Sequence, residues 1–137
     1  MNRQARGPFE VKLAPLPLSE GVESPPLGRL SIDKTFHGDL EAKSRGEMLS
    51  AGTDVQGSAG YVALERVTGT LGGRSGSFSL MHTGVMNRGV PQLTISVVPD
   101  SGTGALEGLE GTMAITIADG KHSYTFDYTL GHDAPAR

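Results

Sequence analysis

The sequence contains no cysteine and no tryptophan. Without cysteine there is no disulfide framework, no thiolate nucleophile and no cysteine-ligated metal, and a cytoplasmic location is the expectation that fits. Positive charge is not in excess. Twelve Lys and Arg stand against 15 Asp and Glu, for a formal net charge of −3, and no basic patch stands out, so nucleic acid is not an expected partner. No apolar run is long enough to span a bilayer, and Met1–Gly7 is not followed by an apolar segment of signal-peptide kind, so a membrane is not an expected partner either. Amphipathic helical spacing is missing throughout. His37, His82, His122 and His132 show no metal-ligand spacing, and neither a metal nor another cofactor is expected.

What the chain has in abundance is glycine, 20 residues in 137, set between short runs of Val, Ile, Thr, Phe and Tyr. That is turn punctuation in an all-β chain, and the length suits one compact domain. The stretch Gly60–Gly84 organises the rest. It reads as two strands joined at Gly72-Gly73, because two-residue hairpin turns need positive φ, which glycine adopts freely. Counting outward pairs Leu71 with Arg74, Val67 with Phe78, Glu65 with Leu80 and Ala63 with His82. Alternation then puts Tyr61, Ala63, Glu65, Val67, Phe78, Leu80 and His82 on one face. The other face carries Val62, Leu64, Arg66, Thr68, Ser77, Ser79 and Met81. Glu65 and His82 are diagonal neighbours on the more apolar face, within reach of each other.

Residues 1–8 are polar and read as a disordered tail, residues 9–130 as one barrel domain, and residues 131–137 as a frayed end. Phe9–Leu13 alternates as a first strand. Pro15, Pro17, Pro25 and Pro26 mark a long loop, which either covers a cavity mouth or connects over the surface. Arg29–Phe36 alternates, with Leu30, Ile32 and Phe36 on one face and Lys34 between them. A turn at His37-Gly38-Asp39 leads into Leu40–Ala51, where Gly46 suggests a bulge or kink. Val85–Gly89 reads as a loop, Gln92–Pro99 as a strand. Asp119-Gly120 marks a second tight hairpin, pairing Ile117 with His122, Ile115 with Tyr124 and Met113 with Phe126. About eight antiparallel strands result, and the fold expected is an all-β, eight-stranded antiparallel closed β-barrel, since closure removes exposed strand edges.

Several of these stretches resemble the DUF3224 family of small bacterial proteins of unknown function: Gly38–Glu41, Ser58–Arg66, Gly69–Phe78, His82–Gly84 and Val97–Gly111, with Tyr124–Tyr128 as the closing strand. The resemblance spans roughly residues 9–130. It implies a barrel similar to that of plant allene oxide cyclase, a shape shared by dirigent proteins and some natural-product cyclases. It implies no reaction and carries over no catalytic residue. The chain departs from the family pattern in lacking a tryptophan near the first strand.

Asp100-Ser101-Gly102 and Gly73-Arg74-Ser75-Gly76 superficially suggest nucleophile motifs, but their composition is that of turns. Three functions remain. One is a pocket for a hydrophobic small molecule, with Glu65 and His82 as its chemical groups and Tyr61, Phe78, Leu80, Met113, Ile115, Tyr124, Phe126 and Tyr128 lining it. The second is an isomerase or cyclase on a lipid- or polyketide-like substrate, with Glu65 as base or charge stabiliser, its pKa raised by burial, and His82 or a Tyr as hydrogen-bond partner. The third is a structural module that forms a homo-oligomer through Val62, Leu64 and Met81. Against chemistry stands the plain alternative that a buried Glu and His satisfy each other.

Overall fold

The computed structural model describes residues 2–131. Eight strands run in order: β1 (Arg3–Pro15), β2 (Leu27–Phe36), β3 (Leu40–Gly52), β4 (Ala59–Leu71), β5 (Arg74–Asn87), β6 (Val90–Val97), β7 (Glu110–Ala118) and β8 (Lys121–Thr129). Each lies antiparallel to its sequence neighbours and β8 returns to β1, so the sheet is the closed eight-stranded barrel expected from the pattern. Among the described residues no helix is long and apolar enough to cross a membrane.

The tight turns set the register. Gly72 and Gly73 have φ of 57° and 83°, and β4 pairs with β5 as Leu71–Arg74, Val67–Phe78, Glu65–Leu80 and Ala63–His82. Asp119-Gly120 does the same for β7 and β8, with Ile117 opposite His122 and Met113 opposite Phe126. A third such turn replaces the loop expected at Val85–Gly89. Arg88 and Gly89 both have positive φ, and the strands run up to Asn87 and on from Val90. A turn of that hand matches the twist of the flanking strands, so pairing continues to its edge.

The N-terminal tail expected over residues 1–8 is corrected. β1 begins at Arg3 and pairs with β8 from Arg3–Tyr128 to Phe9–His122, which closes the barrel. The inward positions there are Ala5 and Gly7, too small to register as hydrophobic alternation. Ala5 is fully buried, and a Cβ at Gly7 would lie 1.9 Å from the carbonyl oxygen of His37. At the other end, 132–137 of the expected frayed tail lie outside the described residues. Nor is Gly46 a bulge, because β3 and β4 pair without a break from Leu40–Leu71 to Gly52–Ala59.

The two ends of the barrel differ. At the end bearing the Gly72-Gly73 turn, the interior is filled by Phe36, Leu40, Leu71, Phe78, Phe126 and Tyr128, and the β6–β7 connection tucks Leu106 and Leu109 beneath them. Tyr124 ties this end together: its hydroxyl donates to the His37 carbonyl at 2.7 Å and accepts from the Leu40 amide at 2.9 Å. At the opposite end the inward positions stay wet. By strand parity Leu13, Leu93 and Ile117 point inward, yet they are 52, 44 and 66 % exposed. The barrel is therefore a cup, packed below and open above.

Candidate functional site

Glu65 sits at the boundary between the packed and open halves, on the inward face of β4, and is only 2 % exposed. Burying a carboxylate is costly unless every lone pair finds a donor. Three strands supply them. Ser44 on β3 donates to Oε1 at 2.6 Å, Lys34 on β2 donates to Oε2 at 2.8 Å, and His82 Nε2 on β5 lies 2.5 Å from the same Oε2. Lys34 itself is buried between the rings of Phe9 and Phe36, its ammonium 5.4 and 5.8 Å from their centroids. Gly46 makes room for this layer. It pairs with Glu65, and a Cβ on it would lie 2.0 Å from the Leu64 carbonyl oxygen.

The expectation that burial raises the pKa of Glu65 is corrected. Burial does push it upward, but the hydrogen bond from His82, the charge and hydrogen bond of Lys34 and the hydrogen bond of Ser44 together outweigh it and hold the carboxyl at about 2. Glu65 is thus a fixed buried anion at neutral pH, not a base waiting for a proton. An ionised carboxylate only accepts, so Nε2 of His82 must carry the hydrogen in this contact. The other ring nitrogen, Nδ1, has no partner among the described residues. Among the described residues no fully buried side-chain polar atom lacks one, so Nδ1 meets accessible space.

Tyr61 stands beside it, its ring centroid 6.5 Å from that of His82. The ring rests on Gly84, directly across in β5, where a Cβ would come within 2.1 Å of the ring edge. Burial and then the charge of Glu65 raise the Tyr61 pKa, so its hydroxyl keeps its proton. No other described residue is a hydrogen-bond partner of that hydroxyl.

Of the residues expected to line a pocket, the structure brings Tyr61, Glu65 and His82 together. Met113 lies in the His82 row, through Ile95, and Ile115 one row higher. Phe78, Leu80, Phe126 and Tyr128 are instead packed into the closed half, with Phe78 and Phe126 stacked at 5.8 Å and Phe126 and Tyr128 at 5.2 Å. Tyr124 is spent on backbone groups, and burial pushes its pKa up. The sequence reading missed Lys34 and Ser44 as partners of Glu65, and Leu13, Leu93 and Ile117 as the wet rim. The one available signal was Lys34, a charge in the middle of an otherwise apolar inward row.

A recess of about 890 Å³ lies on the outer wall, where the long loop of residues 16–26 brings Leu18 and Val22 over Leu49, Val62, Leu64 and Met81. The loop therefore covers an outer recess. Arg29 anchors it, bonding the Pro17 carbonyl at 2.9 Å and Glu47 at 2.7 Å. The lining is mostly apolar, with Arg29 and Glu47 paired to each other, and His82 also contributes to it. Among the described residues no group of three or more His, Asp or Glu is placed to hold a metal.

The pattern of the DUF3224 family, described as proteins of unknown function, matches residues 5–128. A crystal structure of a DUF3224 protein of unknown function from Shewanella oneidensis MR-1 is similar over 99 % of this chain and 100 % of its own, with 50 % identity and a TM-score of 0.89. No curated protein matches the chain.

Proposed function

The chain belongs to the DUF3224 family, and for this member we propose a binding barrel that takes up an apolar small molecule in its open half. The observation that carries the reading is the coincidence of an apolar, solvent-reached interior with two polar groups at its floor, His82 Nδ1 and the Tyr61 hydroxyl, that no described residue satisfies. Ligand sites have that make-up: mostly apolar walls with a few convergent polar atoms. Glu65, Lys34 and Ser44 serve as the support that fixes the His82 ring. A cytoplasmic site of action belongs to the same proposal. The test is native mass spectrometry of protein purified from its own source, with a crystal structure of the same material. A co-purifying mass with density between Tyr61 and His82 supports the reading, and a cup holding only water, with no added mass, removes it.

A second reading, that the bound molecule is isomerised or cyclised, draws support from the carboxylate behind the imidazole. Glu65 orients His82 so that Nδ1 faces the proton it would take, while Tyr61 donates to a developing oxyanion. His82→Gln and Tyr61→Phe should each abolish turnover of the identified ligand while leaving its binding within about tenfold. Turnover that persists in both would sink this reading.

Self-association is proposed from the outer wall. Leu49, Val62, Leu64 and Met81 form one exposed apolar patch, of the kind that marks interfaces. Sedimentation velocity at high concentration, with Leu64→Glu as the control, decides it: a wild-type monomer rules it out.

A further inference from the structure

The wall of the barrel is unevenly sewn. β4 and β5 pair along their whole length, from Ala59–Met86 to Leu71–Arg74, but β6 and β7 are joined only at Ile95–Met113 and Ser96–Thr112. Toward the open end, residues 90–94 pair with β5 alone and residues 114–118 pair with β8 alone. The two strands are not bridged to each other there, which leaves an unsewn gap in the side of the cup.

Its position is set by the register. The last bridged residue, Ile95, pairs with His82, so the cleft begins at the height of the imidazole. One row higher, Leu93 pairs with Gly84, which pairs with Tyr61, and the facing inward residue across the gap is Ile115. Neither 90–94 nor 114–118 carries a charged residue. Leu93 and Ile117, inward by parity on the two lips, stand in water at 44 and 66 % exposure. Large apolar side chains aimed at an interior and left wet are what a missing ligand would cover.

We propose that this cleft is both the entrance to the cup and the seat of the ligand's body. The ligand is then an elongated or flat apolar molecule with a single hydrogen-bonding group. That group reaches Nδ1 of His82 and the Tyr61 hydroxyl, and the rest lies between Leu93, Ile115 and Ile117. A compact ligand would leave Leu93 and Ile117 uncovered. A charged body finds no partner on either lip. This inference rests on the reading of the open half as a ligand site, and goes beyond it in naming the shape of the ligand and its route.

The absence of cysteine allows a reversible test. Thr94→Cys with Ala114→Cys places thiols at the first unjoined positions of the two strands, and oxidation staples the cleft. The probe is N-phenyl-1-naphthylamine, a neutral apolar molecule with one N–H, followed by stopped-flow fluorescence. Association should be at least tenfold slower in the oxidised protein and return to the wild-type rate on reduction. Unchanged rates in a verified staple overturn the cleft as the entrance and leave the cup as a site. No binding to wild-type protein overturns the ligand site itself. Should the staple fail to form, Leu93→Arg decides, with Leu64→Arg in the outer recess as its matched control. Loss of at least tenfold in affinity with Leu93→Arg alone supports the cleft. Loss with Leu64→Arg alone, with both or with neither overturns it.

Discussion

The ammonium of Lys34 lies 2.8 Å from Oε2 of Glu65, the same oxygen that His82 approaches from the other side. Neither charge is tolerable alone at that depth. Lys34→Met should therefore cost about 3–5 kcal/mol, the usual penalty for stripping a buried ion of its partner. Adding Glu65→Gln should recover part of the loss. Urea unfolding of the two variants checks both statements, and a single variant as stable as wild type would mean the pair is dispensable.

Acid should loosen the fold through Glu65. Its carboxyl is held at about 2 in the folded barrel, against 4.5 as its ordinary value. Above pH 4.5 it is ionised in both states, and the folded protein keeps the full advantage. As pH falls below 4.5 the unfolded chain takes up the proton first, and the advantage shrinks until pH nears 2. The loss across that window is roughly 3 kcal/mol. Urea midpoints measured from pH 7 to pH 2.5 should fall with that profile, and Glu65→Gln should flatten it.

Gly46 and Gly84 should respond differently to alanine. At Gly46 the new methyl meets backbone, the Leu64 carbonyl oxygen at 2.0 Å, so β3 and β4 must part and stability should drop by on the order of 3 kcal/mol. At Gly84 it meets the ring of Tyr61, which can swing aside. Gly84→Ala should unfold near the wild-type midpoint yet shift the Tyr61 and His82 ring resonances in NMR spectra. Unmoved resonances would contradict the contact.

Tyr124→Phe removes the hydroxyl that serves both the His37 carbonyl and the buried Leu40 amide. Leaving the amide without a partner should cost about 1–3 kcal/mol, read from thermal or urea unfolding. Amide exchange at Leu40 should quicken while exchange in β6 stays as it was.

Much of this architecture is legible in the chain before folding. Gly72-Gly73 and Asp119-Gly120 fix two hairpins residue by residue, because a two-residue turn leaves one way to count. That counting placed Glu65 and His82 together. Lys34 and Ser44 escaped because their approach depends on how β2, β3 and β4 stack sideways. The link from β3 to β4 is too long to count across, and Gly46 could be taken for a kink when it marks a close approach. The direction of the Glu65 pKa followed from the same gap: with burial alone in view it rises, and with three donors it falls. The start of β1 was hidden because Ala5 and Gly7 carry too little side chain to show a pattern. The parting of β6 from β7 lies across the twelve-residue link 98–109, where no turn dictates a register.

The seam between Arg3–Phe9 and His122–Tyr128 ties together segments more than a hundred positions apart. Such a joint pays its entropy before any reward arrives, so the ring forms late and slowly compared with its local hairpins. A nascent polypeptide halted before Lys121 would hold seven ribbons with two raw borders, one of them the polar lip of β1. Until the eighth ribbon joins them, those borders invite pairing with a neighbouring copy.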